Sequence, residues 1–146
     1  MVINNNFTNI LAIDFLDLDI ISSMIQDCIV LRENITYLSK QRAFILLVNR
    51  FKWEEKDKCH RIYSIIRFQG VLRVKTKNLI MHNENLPLEL LAINYHTTES
   101  GVMHIFLNFS GGAIIDLEVE CVECVLKDLS EPWKTNIIPD HNLGNL

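Results

Sequence analysis

Hydrophobic positions along the chain change period twice, and each change marks a change of element. Ile20, Ile21, Met24, Ile25 and Cys28 recur at steps of three and four, the spacing that puts side chains on one face of an α-helix. Asp17 precedes that run as an N-cap and Asp19 lies in its first turn, where carboxylates meet unpaired backbone N–H groups. A helix is therefore expected over 18–28. From Ala43 the period falls to two. Phe44, Leu46 and Val48 share one face and Ala43, Ile45 and Leu47 the other, as in a strand covered on both sides.

Other short runs read as strands: 10–15, 29–31 and 35–38 around a turn at Arg32-Glu33-Asn34, then 61–68, 72–77 and 88–95. Ser110-Gly111-Gly112 joins 102–109 to 113–119 as a hairpin, because glycine takes the turn's backbone angles without a Cβ clash. Val122, Val125, Leu126 and Leu129 return to helical spacing and predict a last helix, stopped by Pro132. The Asn-rich residues 1–9, the charged turn 54–58, the loop 83–87 and the tail with Pro139 and Gly144 read as irregular. No internal repeat is visible.

No crossover helices separate the strands, which excludes a doubly wound sheet. The expected fold is α+β: a strongly bent antiparallel sheet or partly closed barrel, with an N-terminal helix and a C-terminal helix plugging one end. In element order this is pleckstrin-homology-like. The 146 residues suit a single domain, with an ordered core over about 10–133.

Composition changes this picture little, charge more. Apolar residues at 49% and charged ones at 22% exclude a disordered chain. No apolar run reaches membrane-spanning length, and the N-terminus lacks the basic patch and apolar stretch of a signal peptide, so a cytoplasmic protein is expected. Eleven of the 14 Lys and Arg lie between Lys40 and Lys77, against three of the 18 acids. Arg61, Arg67, Arg73, Lys75 and Lys77 form an outward row on two strands, with Arg50 and Lys52 near it and Tyr63, Phe51 and Trp53 interleaved. These cations suit an acidic protein partner, or self-association in which the acidic C-terminal half of one copy meets the basic middle of another as a homodimer. Binding of single-stranded nucleic acid on the same face is an alternative. A net charge of −4 weighs against it.

Thiol chemistry is the remaining candidate. Cys121-Val-Glu-Cys124 falls at the start of the predicted last helix, where a helix dipole favours a thiolate and hence a redox enzyme using Cys121. Against this, the preceding strand belongs to a hairpin, and Glu120 and Glu123 repel a thiolate. Packing at a helix start explains both sulfurs. No metal site is expected, since Cys28 lies in a helix stripe and Cys59 beside His60 sits too close to that neighbour for good shared geometry. His82, His96, His104 and His141 share no ligand spacing, though His96 and His104 flank a turn and can face each other across a hairpin. No GxSxG, GxGxxG or P-loop occurs, so no nucleotide cofactor and no enzyme is expected.

Four stretches resemble a bacterial family, the domain of unknown function numbered 2948: DLDIISSMIQD at 17–27, RAFILLVNRFKWE at 42–54, LLAI at 90–93 and GGAIIDLEVECVECVLKDLSEPW at 111–133. The resemblance implies an intracellular, alphaproteobacterial setting and brings no catalytic residue or cofactor. In that family the position of Cys124 is often not cysteine, so it implies no shared CxxC chemistry.

Overall fold

The computed structural model describes residues 7–79, 86–129, 133–135 and 139. The lead-in residues 1–6, His82, the loop residues 83–85, Pro132, His141 and Gly144 lie outside them. The chain runs β1 (Asn9–Ala12), α1 (Phe15–Met24), β2 (Cys28–Leu38), β3 (Ala43–Phe51), β4 (His60–Gln69), β5 (Val71–Lys77), β6 (Leu88–Thr97), β7 (Met103–Phe109), β8 (Ile114–Val119), β9 (Cys124–Asp128) and β10 (Trp133–Lys134).

Period-two alternation sends one row of each long strand inward. Leu46, Ile66, Leu107, Leu117 and Leu126 meet in one buried cluster, capped by Leu18, Ile21 and Ile25 of α1. The helix starts three residues earlier than its stripe suggests. Asp14, not Asp17, is the N-cap: its carboxylate accepts from Asp17 N at 2.8 Å, and Asp17 accepts in return from Ile13 N at 3.3 Å. Phe15 stacks on Tyr95 at 4.3 Å, and the Tyr95 hydroxyl donates to Asp19 at 2.9 Å, which fixes α1 on β6.

Every strand pair is antiparallel, in the order β1-β9-β4-β3-β2-β6-β7-β8-β5, with β10 beside β4. Outward from the central β2–β6 pair, the two directions match. Exchanging β2 with β6, β3 with β7, β4 with β8 and β5 with β9 maps the order of these eight strands onto itself. The topology is thus repeated although the sequence shows no repeat. Matched strands differ in length (β4 has 10 residues and β8 has 6), so no fixed sequence period survives. The symmetry stops at the outer edges. β1 covers the far flank of β9, whereas among the described residues no strand pairs with the far flank of β5, where Val71 at its start is held by Arg42 O at 2.8 Å.

The halves are joined by a ribbon that turns one corner. Only Gly70 separates β4 from β5, and residues 120–123 separate β8 from β9 beside it. Gln69 N donates to Glu123 O and Glu120 N to Gly70 O, each at 2.9 Å. Gly70 sits at φ +75°, where a Cβ would come within 3.1 Å of Cys121 Sγ and Glu120 Cγ. Gly70→Ala is expected to destabilise by about 1–3 kcal/mol, the range for strained left-handed backbone, as a lowered midpoint in urea unfolding.

The α+β, pleckstrin-homology-like expectation is corrected on two points. Among the described residues the fold is mostly antiparallel sheet with one α-helix, and the expected C-terminal helix is absent: Cys124–Asp128 is a strand. Among the described residues the sheet also does not close, ending at β1 and β5. Leu126 belongs to both a helical and a period-two reading of that segment, and over so few residues periodicity cannot separate them. Pairing decides. β9 lies between β1 and β4 and hydrogen-bonds to both, while a helix there would leave two strand edges unpaired. A smaller correction concerns Arg32-Glu33-Asn34, a register shift inside β2 and not a turn.

Candidate functional site

The basic row splits where the chain turns at Gly70. On β4, Tyr63 is half-exposed with its ring 5.0 Å from Trp133, and exposed Arg67 donates to Gln69 at 3.1 Å. On β5, Arg73, Lys75 and Lys77 all stand exposed on the outer face. Their cross-strand neighbours on β8 are Glu118, Asp116 and Ile114, and the next row on β7 is His104, Phe106 and Asn108. Cations at the edge therefore lie against a row of acids, with imidazole and phenyl rings behind.

Geometry within this face is ordered. His104 Nδ1 lies 2.8 Å from Asp116 Oδ1, and its ring stacks on Phe106 at 5.9 Å. His96 is paired directly opposite His104 across the β6–β7 hairpin. Arg73 reaches Glu118 only at 3.8 Å, and neither Lys75 nor Lys77 has an ion pair among the described residues. A cleft of about 310 Å³ opens beside them, lined by Lys75, Thr76, Lys77, Phe106, Ile114 and Asp116.

The other three predicted cations are interior. Arg50 is completely buried at the end of the inward row of β3. Its guanidinium donates to Asp128 at 3.1 and 3.0 Å, to Glu54 at 2.8 and 2.7 Å, to Ser64 Oγ at 3.1 Å and to Thr8 Oγ1 at 3.4 Å. Burial alone would raise the Asp128 pKa. Hydrogen bonds from Arg50, Ser64 and the Thr8 amide outweigh it and hold the carboxyl below its usual range. Glu54 shows the same balance, with burial raising its pKa and Arg50 lowering it further. Lys52 is buried against Glu55 at 2.9 Å, and Glu55 also holds His60 Nδ1 at 2.8 Å. Arg61 donates to Asn49 Oδ1 at 2.6 Å and Asn49 O at 3.0 Å, and burial lowers its pKa.

Sequence reasoning did not find Asp128, Ser64, Glu54 and Thr8 as partners of Arg50. One signal was present: Arg50 continues the buried row Leu46, Val48 at spacing two. The acids of the β5 face, Asp116 and Glu118, likewise follow from the alternation of β8 once β5 is set beside it.

Cys121 occupies the corner, not a helix start. It is exposed and lies between β8 and β9, so no helix dipole favours its thiolate. Partial burial, then Glu123 and Glu120, push its pKa up. Cys124 faces the core, where burial raises its pKa strongly, and burial pushes the Cys28 thiol up to about 12. In a Cys59→Ser background at neutral pH, Cys121 is expected to react with a disulfide reagent more slowly than an unstructured peptide thiol. Cys28 and Cys124 are expected to stay silent until denaturant is added. A fast phase at neutral pH would reveal an activated thiolate and contradict this.

A second cleft, of about 620 Å³, is lined by Asp57, Lys58, Cys59, His60, Lys134 and Thr135. Among the described residues no three His, Cys, Asp or Glu side chains converge as metal ligands, and no helix is long and apolar enough to cross a membrane. No curated protein and no solved structure matches the chain. A family model does match, over residues 8–141, nearly the whole length. The chain belongs to the family described as protein of unknown function (DUF2948).

Proposed function

We propose that this chain is a non-catalytic binding module of the cytoplasm whose working surface is the outer face of β5, and that it receives an acidic protein segment there. One observation carries the reading: the basic segment is divided in use. Arg50, Lys52 and Arg61 are committed to interior partners, whereas Arg73, Lys75 and Lys77 stand in solvent beside a cleft. Unpaired cysteines fit a reducing compartment.

Charge layout favours protein over nucleic acid. A bound single strand needs phosphates on the cations and bases on rings of the same face. Here the rings lie two strands in from the cations, so a strand that stacks bases on Phe106 and His104 holds its phosphates close to Asp116 and Glu118, which repel them. A protein segment alongside β5 meets the cations first. Self-association through this strand is disfavoured, because two copies of β5 would oppose Arg and Lys to Arg and Lys.

The test is fluorescence anisotropy with a labelled glutamate-rich peptide and with single-stranded RNA and DNA, at low and high salt, with light scattering on the same sample. The peptide is expected to bind and to weaken with salt. RNA or DNA binding more tightly than the peptide would overturn the reading in favour of nucleic acid. A dimeric mass with no peptide binding would overturn it in favour of self-association.

A further inference from the structure

We infer that the acidic segment binds as an added β-strand along the open edge of β5, with acids at alternate positions facing Arg73, Lys75 and Lys77. This rests on β5 being the working surface and goes further, to the partner's conformation and pattern. Three observations support it.

The first is the broken symmetry of the sheet. β9 and β5 hold equivalent places in the repeated topology, each as the outermost of four strands. On one side the chain supplies β1, whose Asn9, Ile10, Leu11 and Ala12 pair with Lys127, Leu126, Val125 and Cys124. On the other side the equivalent flank of β5 carries no strand among the described residues. Val71 at its start is engaged, donating to Arg42 O at 2.8 Å and accepting from the Tyr37 hydroxyl at 2.9 Å, and the added strand would run along the residues after it. The sheet is built to carry a strand at that position, and one end already does.

The second is the inner neighbour of β5. β8 reads Ile-Ile-Asp-Leu-Glu-Val, alternating acid with apolar, and sets Asp116 opposite Lys75 and Glu118 opposite Arg73. A strand of the same alternation on the outer flank would give these cations acids on both sides. Its apolar residues would then lie level with Val74, which packs against the core.

The third is selectivity. An open edge invites any exposed strand, and charged side chains on it exclude most of them. Three cations at spacing two leave one pattern favoured. Main-chain hydrogen bonds supply affinity in such strand addition, and alternate side chains supply specificity.

The experiment uses the full chain and labelled peptides alternating valine and glutamate, read by anisotropy. A control peptide has the same residues with the glutamates consecutive. Two further peptides are N-methylated, one on every valine and one on every glutamate. An added strand turns only one set of amides towards β5. One methylated peptide is therefore expected to lose binding at least tenfold while the other keeps it, and the block peptide to bind at least tenfold more weakly. Binding is also expected to weaken about a hundredfold in Arg73→Glu/Lys75→Glu/Lys77→Glu. If all four peptides bind alike and the triple variant still weakens binding, strand addition is overturned while β5 remains the working surface. If none binds the wild-type chain, both fall.

Discussion

Arg50→Met is expected to lower stability by about 3–5 kcal/mol, the usual result of removing one partner from a buried ion pair. Asp128 would remain in the interior with only Ser64 and the Thr8 amide for company, since its side chain is fully buried at the Arg50 contact. Glu54 adds less, because about a third of it is exposed (32%) and solvent screens it. Chemical denaturation measures the loss.

The pH dependence gives a sharper signature. In the native protein, Asp128 and Glu54 have pKa values below their ordinary ones. Their contribution is therefore complete above the unfolded carboxyl pKa of about 4 and is lost as pH falls through the depressed folded value. In Arg50→Met, burial of Asp128 is opposed only by Ser64 and the Thr8 amide, so its folded pKa rises from the depressed native position and less stability is lost on acidification. The stability gap between variant and native protein is thus expected to narrow as pH falls from neutral. A gap independent of pH would mean that Arg50 matters for packing alone.

The second large effect is on binding. Reversing Arg73, Lys75 and Lys77 together is expected to weaken an acidic ligand by about 3 kcal/mol, or about a hundredfold. The figure follows from exposed pairs at about 0.2–1 kcal/mol each, with attraction turned into repulsion of similar size. All three side chains are exposed, so thermal stability should stay near that of the native chain. Reversal of Arg67 on β4 serves as the control and should leave affinity almost unchanged, since Arg67 lies across the Gly70 corner. Equal loss from both would spread the site over the whole basic segment.

Much of this was legible in the residues, and the failures have physical causes. The β7–β8 hairpin is where Ser110-Gly111-Gly112 put it, with Gly111 and Gly112 at φ +78° and +81°, because that signal is local. The alternation from Ala43 held through Phe51 for the same reason. β9 was misread because its identity depends on neighbours far along the chain. Leu126 pairs with Ile10 on one side and Ile66 on the other. Asp128 was missed as the counter-ion of Arg50 because 78 residues separate them and nothing local marks the pair. The outward row of cations was visible, but not its division. Burial of Arg61 depends on Asn49 across the β3–β4 pair and on the β10 strand paired beside it. The open flank of β5 could not be read at all without the strand order.

The most direct test of that division is an amide resonance map of the labelled chain titrated with the alternating valine–glutamate peptide. Shifts are expected along Val71–Lys77 and, more weakly, along Ile114–Val119, with Arg50, Lys52 and Arg61 unmoved. Shifts centred on residues 50–61, or on β1 and β9, would contradict the assignment of Arg73, Lys75 and Lys77 as the working surface.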